Sequence, residues 1–104
     1  MVNVNEILFK HISAEDSQTL LAAGEAKFVD IRDVNSFNAG HIEGSIRLDN
    51  DAIPVFLADT PKDIPVIVYC YKGISSQQVA QFLALQGFSD VYSMDGGYEA
   101  WEKL

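Results

Sequence analysis

The chain predicts an α/β fold, a mostly parallel sheet with helices on both faces. Two observations carry this. Short β-branched runs alternate with segments whose apolar residues fall three or four apart. One of those runs, Pro65-Val66-Ile67-Val68-Tyr69, is almost continuously apolar, as a parallel strand buried on both sides must be. With 104 residues, one domain spanning residues 1–104 is expected, large enough for a modest core and no second substrate domain.

The elements follow in order. Ser13 and Asp16 form a variant of the capping box with Asp in the acidic place, opening a helix through Ala23 that Gly24 stops. Lys27-Phe28-Val29-Asp30-Ile31 reads as a strand. Asp33 can cap a short helix through Ala39, closed by Gly40. Ser45-Ile46-Arg47-Leu48 is a short extended piece. A third helix is expected to be capped by Asn50 or Asp51, with Pro54 tolerated in its first turn. After the buried strand, residues 76–86 read as a helix. Its apolar face is drawn by Val79, Phe82, Leu83 and Gln86, with Ala80 beside them, and Gly87 ends it. Asp90-Val91-Tyr92-Ser93 is another strand, and residues 98–104 make a last helix.

Composition narrows the function. The net charge is −8, which disfavours nucleic acid and anionic membrane surfaces, since both require a basic face. The longest apolar run, residues 64–71, contains Pro65 and is far too short to cross a bilayer. Met1-Val2-Asn3-Val4-Asn5 lacks the basic start of a secretory leader. A single cysteine, Cys70, permits no internal disulfide. Together these lead to the expectation of a reducing, cytoplasmic compartment and a free thiol.

Cys70 immediately follows the buried strand and is followed by Tyr71-Lys72-Gly73-Ile74-Ser75-Ser76, where a helix begins. In an open α/β sheet, sites gather at the carboxyl ends of strands. A helix N-terminus offers free N–H groups there, and Gly73 lets the loop curl so that successive N–H groups point inward as a nest for an anion. A thiolate so placed has a lowered pKa and serves as a nucleophile. The same donors would hold the terminal sulfur of a persulfide. Lys72 adds a cation, and Ser75 and Ser76 offer hydroxyls and helix caps. Against this stands a plainer role for Cys70 as a small buried hydrophobe; the composition of the loop favours the nucleophile.

Four segments, in this order and spacing, resemble the rhodanese family, and within it the single-domain thiosulfate sulfurtransferases of the GlpE type. They are Phe28-Val29-Asp30-Ile31-Arg32-Asp33, Gly40-His41-Ile42-Glu43-Gly44-Ser45, the loop from Val68 to Ser76, and Asp95-Gly96-Gly97-Tyr98-Glu99-Ala100-Trp101. The resemblance spans residues 9–104. It implies a doubly wound α/β fold and a two-step reaction. Cys70 would attack the outer sulfur of thiosulfate or another sulfane-sulfur donor, release sulfite and hold a persulfide. Cyanide in an assay, or a thiol or thioredoxin-like acceptor in the cell, would then remove the sulfur. Neither metal nor organic cofactor is implied. Many members carry Arg directly after the cysteine, where this chain has Tyr71, as the GlpE type does; that type typically has Asn in place of Ile74. The substrate-binding set is then Tyr71, Lys72, Gly73, Ile74, Ser75 and Ser76.

Several other residues have plainer roles. Asp30 and Arg32 fit a structural ion pair better than a general base. His41 fits a hydrogen-bonded structural position, His11 the surface, and neither has metal-ligand spacing with Cys70. Gly96-Gly97 reads as a tight turn into the last helix, and Trp101 as core. Two alternatives remain: a non-catalytic binding module of the same fold, and a cysteine phosphatase or arsenate reductase. The phosphatase pattern would require Arg six residues after the cysteine, where Ser76 stands.

Overall fold

In a computed structural model, residues 6–104 are described. Five parallel strands form one sheet, in the spatial order β1 (Lys10–Ile12), β5 (Val91–Met94), β4 (Val66–Tyr69), β2 (Lys27–Asp30), β3 (Ile46–Arg47). β4 is central, and all four of its residues are buried. Its side chains alternate between two cores, as a pleated strand requires. Val66 and Val68 join Val29, Val91, Phe56, Ala80 and Leu83 on one face. Ile67 and Tyr69 join Phe28, Met94, Ala14 and Ile42 on the other.

Among the described residues, five helices cover the sheet: α1 (Ala14–Ala23), α2 (Val34–Ala39), α3 (Ile53–Asp59), α4 (Ser76–Leu85) and α5 (Gly97–Glu102). α3 and α4 supply the first core, whereas α1 and α5 supply the second, with Trp101 packed edge-on against Phe28. The expected caps of α1 and α2 are present. Ser13 Oγ accepts the Asp16 N–H at 3.0 Å and an Asp33 carboxylate oxygen accepts the Ser36 N–H at 3.1 Å. Gly24 adopts φ 69°, the left-handed conformation that ends α1.

Three details differ from the sequence expectation. The start of α3 is held by Asp49, not by Asn50 or Asp51: its carboxylate accepts the Ala52 N–H at 2.9 Å. The buried stripe of α4 runs through Ser76, Ala80 and Leu83, and Phe82 lies at the exposed margin. An additional strand, β1, pairs with β5 at the sheet edge. Lys-His-Ile has no apolar alternation to announce it, and Lys10 and His11 are exposed.

This arrangement places the end of β4 between the ends of β2 and β5. Cys70 is therefore flanked by Asp30 and Arg32 on one side and by Ser93, Met94 and the turn into α5 on the other.

Candidate active site

The residues that follow β4 curl back around the cysteine. Gly73 donates its N–H to Cys70 Sγ at 3.1 Å, and Ser76 donates its N–H at 3.3 Å. Ser76 Oγ lies 3.4 Å from the sulfur. The sulfur thus faces the N-terminus of α4, where the first N–H groups have no intrahelical acceptor. Burial pushes the Cys70 thiol up, but the hydroxyls of Ser75 and Ser76 and the N–H groups of Ser76 and Gly73 outweigh it and bring it down to about 7. Hydrogen bonds that favour the anion achieve this, without a neighbouring cation.

The curl is held from outside. Gly73 sits at φ 85°. A side chain there would stand 2.7 Å from Gly96 N and 2.9 Å from Met94 O. Gly97, at φ 58°, approaches as closely: a Cβ would fall 2.5 Å from the carbonyl oxygens of both Cys70 and Tyr71. Those two carbonyls accept N–H groups from Tyr98 at 2.8 Å and Glu99 at 3.0 Å. The opening of α5 therefore holds the carbonyls of Cys70 and Tyr71 away from the sulfur, towards which the N–H groups of Gly73 and Ser76 point. From sequence, Gly96-Gly97 reads only as a turn; its contact with the cysteine loop emerges from the parallel pairing of β4 and β5.

Among the described residues, the N–H groups of Tyr71, Lys72, Ile74 and Ser75 have no protein acceptor. The loop thus brings the expected residues into one cradle, with differences in what each contributes. Ser76 contributes its N–H and hydroxyl. Ser75 does not cap α4 with its side chain; its backbone is already helical at φ −68°, ψ −23°. Tyr71, Lys72 and Ile74 extend their side chains into solvent, Ile74 being 73% exposed.

Ser93, which in sequence is only part of a strand, lies behind Ser76: their hydroxyl oxygens are 2.8 Å apart and both residues are fully buried. A polar residue at the carboxyl end of a strand buried on both sides is the signal that sequence offers.

The neighbouring strand end is built differently. The Asp30 carboxylate accepts the Arg32 N–H at 2.8 Å, Arg32 Nε at 3.1 Å and Arg32 Nη2 at 2.7 Å. Arg32 Nη2 also reaches the Gly40 carbonyl at 2.7 Å, and the guanidinium lies 4.1 Å from the Tyr98 ring centre. The pair is a joint between elements. His41 likewise has a structural setting, with Nδ1 2.8 Å from the Phe37 carbonyl and its ring stacked on Phe37 at 3.8 Å. His11 is exposed and pairs with Asp95 at 2.7 Å. A cavity of about 230 Å³ opens beside the loop, walled in part by Arg32, Tyr71 and Tyr98.

No helix among the described residues is long and apolar enough to cross a membrane. The model of the rhodanese-like domain family matches residues 13–104. A thiosulfate sulfurtransferase GlpE of Shewanella oneidensis is 48% identical over 95 residues, covering 91% of this chain and 94% of that protein. One from Stutzerimonas stutzeri is 53% identical over 93 residues, covering 89% and 84%. Among solved structures, a rhodanese-like domain protein from Staphylococcus aureus superposes with a TM-score of 0.78 at 26% identity, covering 89% of this chain and 91% of that one. With the family model matched over residues 13–104 and relatives about half identical over nine-tenths of its length, the chain belongs to the rhodanese-like domain family.

Proposed function

We propose that this chain is a thiosulfate sulfurtransferase in which Cys70 is the nucleophile and carries the sulfur. The observation that supports this most is the cradle: a buried thiol lowered to about 7, with two N–H groups on its sulfur and four more in the same loop that have no protein acceptor among the described residues. In the first step the Cys70 thiolate attacks the outer sulfur of thiosulfate. The bond between the two sulfurs of thiosulfate breaks, sulfite leaves with the electron pair, and Cys70 holds a persulfide anion. In the second step an external nucleophile attacks the terminal sulfur and the thiolate is regenerated. Cyanide yields thiocyanate; a thiol, or a thioredoxin-like protein thiol, yields its own persulfide.

The N–H groups of residues 71–76 suit both stages, because each leaves negative charge on a sulfur within the loop. The GlpE relatives named above support thiosulfate as donor. A phosphatase reading lacks its central requirement: the sixth residue after Cys70 is Ser76, whose N–H and hydroxyl serve the sulfur, and no arginine stands there.

Intact mass measurement under non-reducing conditions tests the reading. Incubation with thiosulfate is expected to add one sulfur atom, removed by cyanide and absent from Cys70→Ser. Failure of the wild-type protein to take up sulfur from thiosulfate would refute it.

A further inference from the structure

Three side chains stand in a row behind the cradle. Cys70 Sγ is 3.4 Å from Ser76 Oγ, and Ser76 Oγ is 2.8 Å from Ser93 Oγ. Ser76 and Ser93 are both 0% exposed, and Cys70 is 5% exposed. Among the described residues, the Ser93 hydroxyl has no partner other than Ser76.

Each hydroxyl has one proton to donate, so the row has two polarities. If Ser76 donates to Ser93, the Ser93 proton is left buried without an acceptor, and the sulfur meets a lone pair on Ser76. That arrangement suits a protonated thiol and strands a donor, which is costly. If Ser93 donates to Ser76, the Ser76 proton has one place left to go, the sulfur. Every donor is then satisfied, provided that the sulfur is a good acceptor, and a thiolate is a far better one than a thiol. The burial of Ser93 thus selects the second polarity.

We infer that Ser93 is a positioning residue, which donates its hydroxyl proton to Ser76 and thereby commits the Ser76 proton to the sulfur of Cys70, favouring the anion. It acts through Ser76 and touches neither donor nor acceptor. The inference rests on Cys70 being the nucleophile.

The elements packed about the row carry these charged and titratable groups: Lys10 and His11 on β1, His11 being the register partner of Ser93, Asp30 and Arg32 at the end of β2, Tyr69 on β4, Tyr71 and Lys72 in the loop, Tyr92 on β5, Asp95 in the turn after it, and Tyr98, Glu99 and Glu102 on α5; α4 carries none. Asp30 is bound to Arg32 and Asp95 to His11, while Lys72 is exposed. None of them is hydrogen-bonded to the Ser93 hydroxyl, so a displaced thiol titration in a Ser93 variant reports the row.

The test is the rate of alkylation by iodoacetamide against pH, with a thermal melt of each variant. Ser93→Ala removes the donor that polarises Ser76 and also, among the described residues, its only acceptor besides the sulfur. The inflection is therefore expected to rise by about 0.3 pH unit, the loss of cooperative strengthening in the remaining bond. In a Ser76→Ala background, Ser93→Ala is expected to add nothing further. An unmoved inflection in Ser93→Ala, or an equal rise without Ser76, would overturn the inference. A packing defect alone would lower the melt and leave the inflection in place, which overturns it equally. If Ser93→Ala does not fold, Ser93→Thr, which keeps the hydroxyl, is expected to hold the wild-type inflection; a rise of about 0.3 pH unit there overturns the inference instead. Alkylation reads the thiol and sulfur loading from thiosulfate reads the activity, so this inference and the proposed function fail separately.

Discussion

Two strand ends lie side by side in this sheet and follow opposite rules. After β2 stand full charges, Asp30 and Arg32, on side chains 0% and 8% exposed. Each is already engaged by the other, and by backbone or an aromatic ring. After β4, among the described residues, no charged group touches the sulfur, yet four backbone donors of the loop are left without a protein acceptor. Charge alone would have pointed to the first place. Unfilled hydrogen-bonding capacity points to the second, because a saturated pair has nothing left to offer a substrate, and breaking it would expose a buried charge.

That contrast is sharpest in stability. Asp30→Asn leaves the Arg32 guanidinium buried without its counter-charge, and unfolding free energy should fall by about 3–5 kcal/mol in denaturant titration. The turnover of the protein that remains folded should stay within a few-fold of wild type. A variant of unchanged stability and lost turnover would reverse the assignment of the two strand ends.

Gly97→Ala addresses the other side. Its Cβ would overlap the carbonyls of Cys70 and Tyr71 at 2.5 Å, so the cradle must shift. A displacement near 1 Å at a reacting group costs about 100-fold, and kcat/KM for thiosulfate should drop by that order.

The pH profile comes next in size. With the thiol at about 7, first-step rates should fall about tenfold between pH 8 and pH 6 as the thiolate is lost. The sign for stability follows from the same value. The folded thiol titrates below the free value of about 8.5, so its contribution is complete above that value and is lost as pH falls through about 7. Wild type should therefore gain stability over Cys70→Ser on going from pH 6 to pH 9, as read by thermal melts.

The smallest effect is expected at Lys72, the loop's own charge, which is exposed in a chain of net charge −8. Near the surface one such charge contributes about 1 kcal/mol. Lys72→Ala should raise KM for thiosulfate several-fold at low salt, and the difference should fade above about 0.1 M salt. An unchanged KM at low salt would leave donor binding to the backbone alone.

Much of this is legible in the chain itself. The apolar run of β4, the caps at Ser13 and Asp33, and the cysteine before a Gly-Ser-Ser loop are local signals, and local physics decides them. What escapes is decided across the sheet. β1 exists because β5 offers its edge, and Lys-His-Ile alone announces nothing. Asp49 outcompetes Asn50 and Asp51 because Arg47 and the chain entering α3 place its carboxylate over the Ala52 N–H. Ser93 and Gly97 reach the cysteine loop only through the β4–β5 register, 17 residues separating Ser76 from Ser93 and 27 separating Cys70 from Gly97. A window along the chain sees the cysteine and its loop and misses what packs against them.

The solitary cysteine also limits how sulfur can leave. Catalysts with a second, resolving thiol expel a bound sulfur by closing an internal disulfide, and they can protect an oxidised thiol in the same way. Cys70 has no such partner among the 104 residues. A loaded cysteine here must wait for a visitor, and the lifetime of the stored sulfur is set by the arrival of that nucleophile. A sulfenic acid formed at the same atom would have to be rescued by an outside thiol before further oxidation made the damage permanent. The loop is thus a reservoir with one door, and traffic outside the protein controls how often it opens.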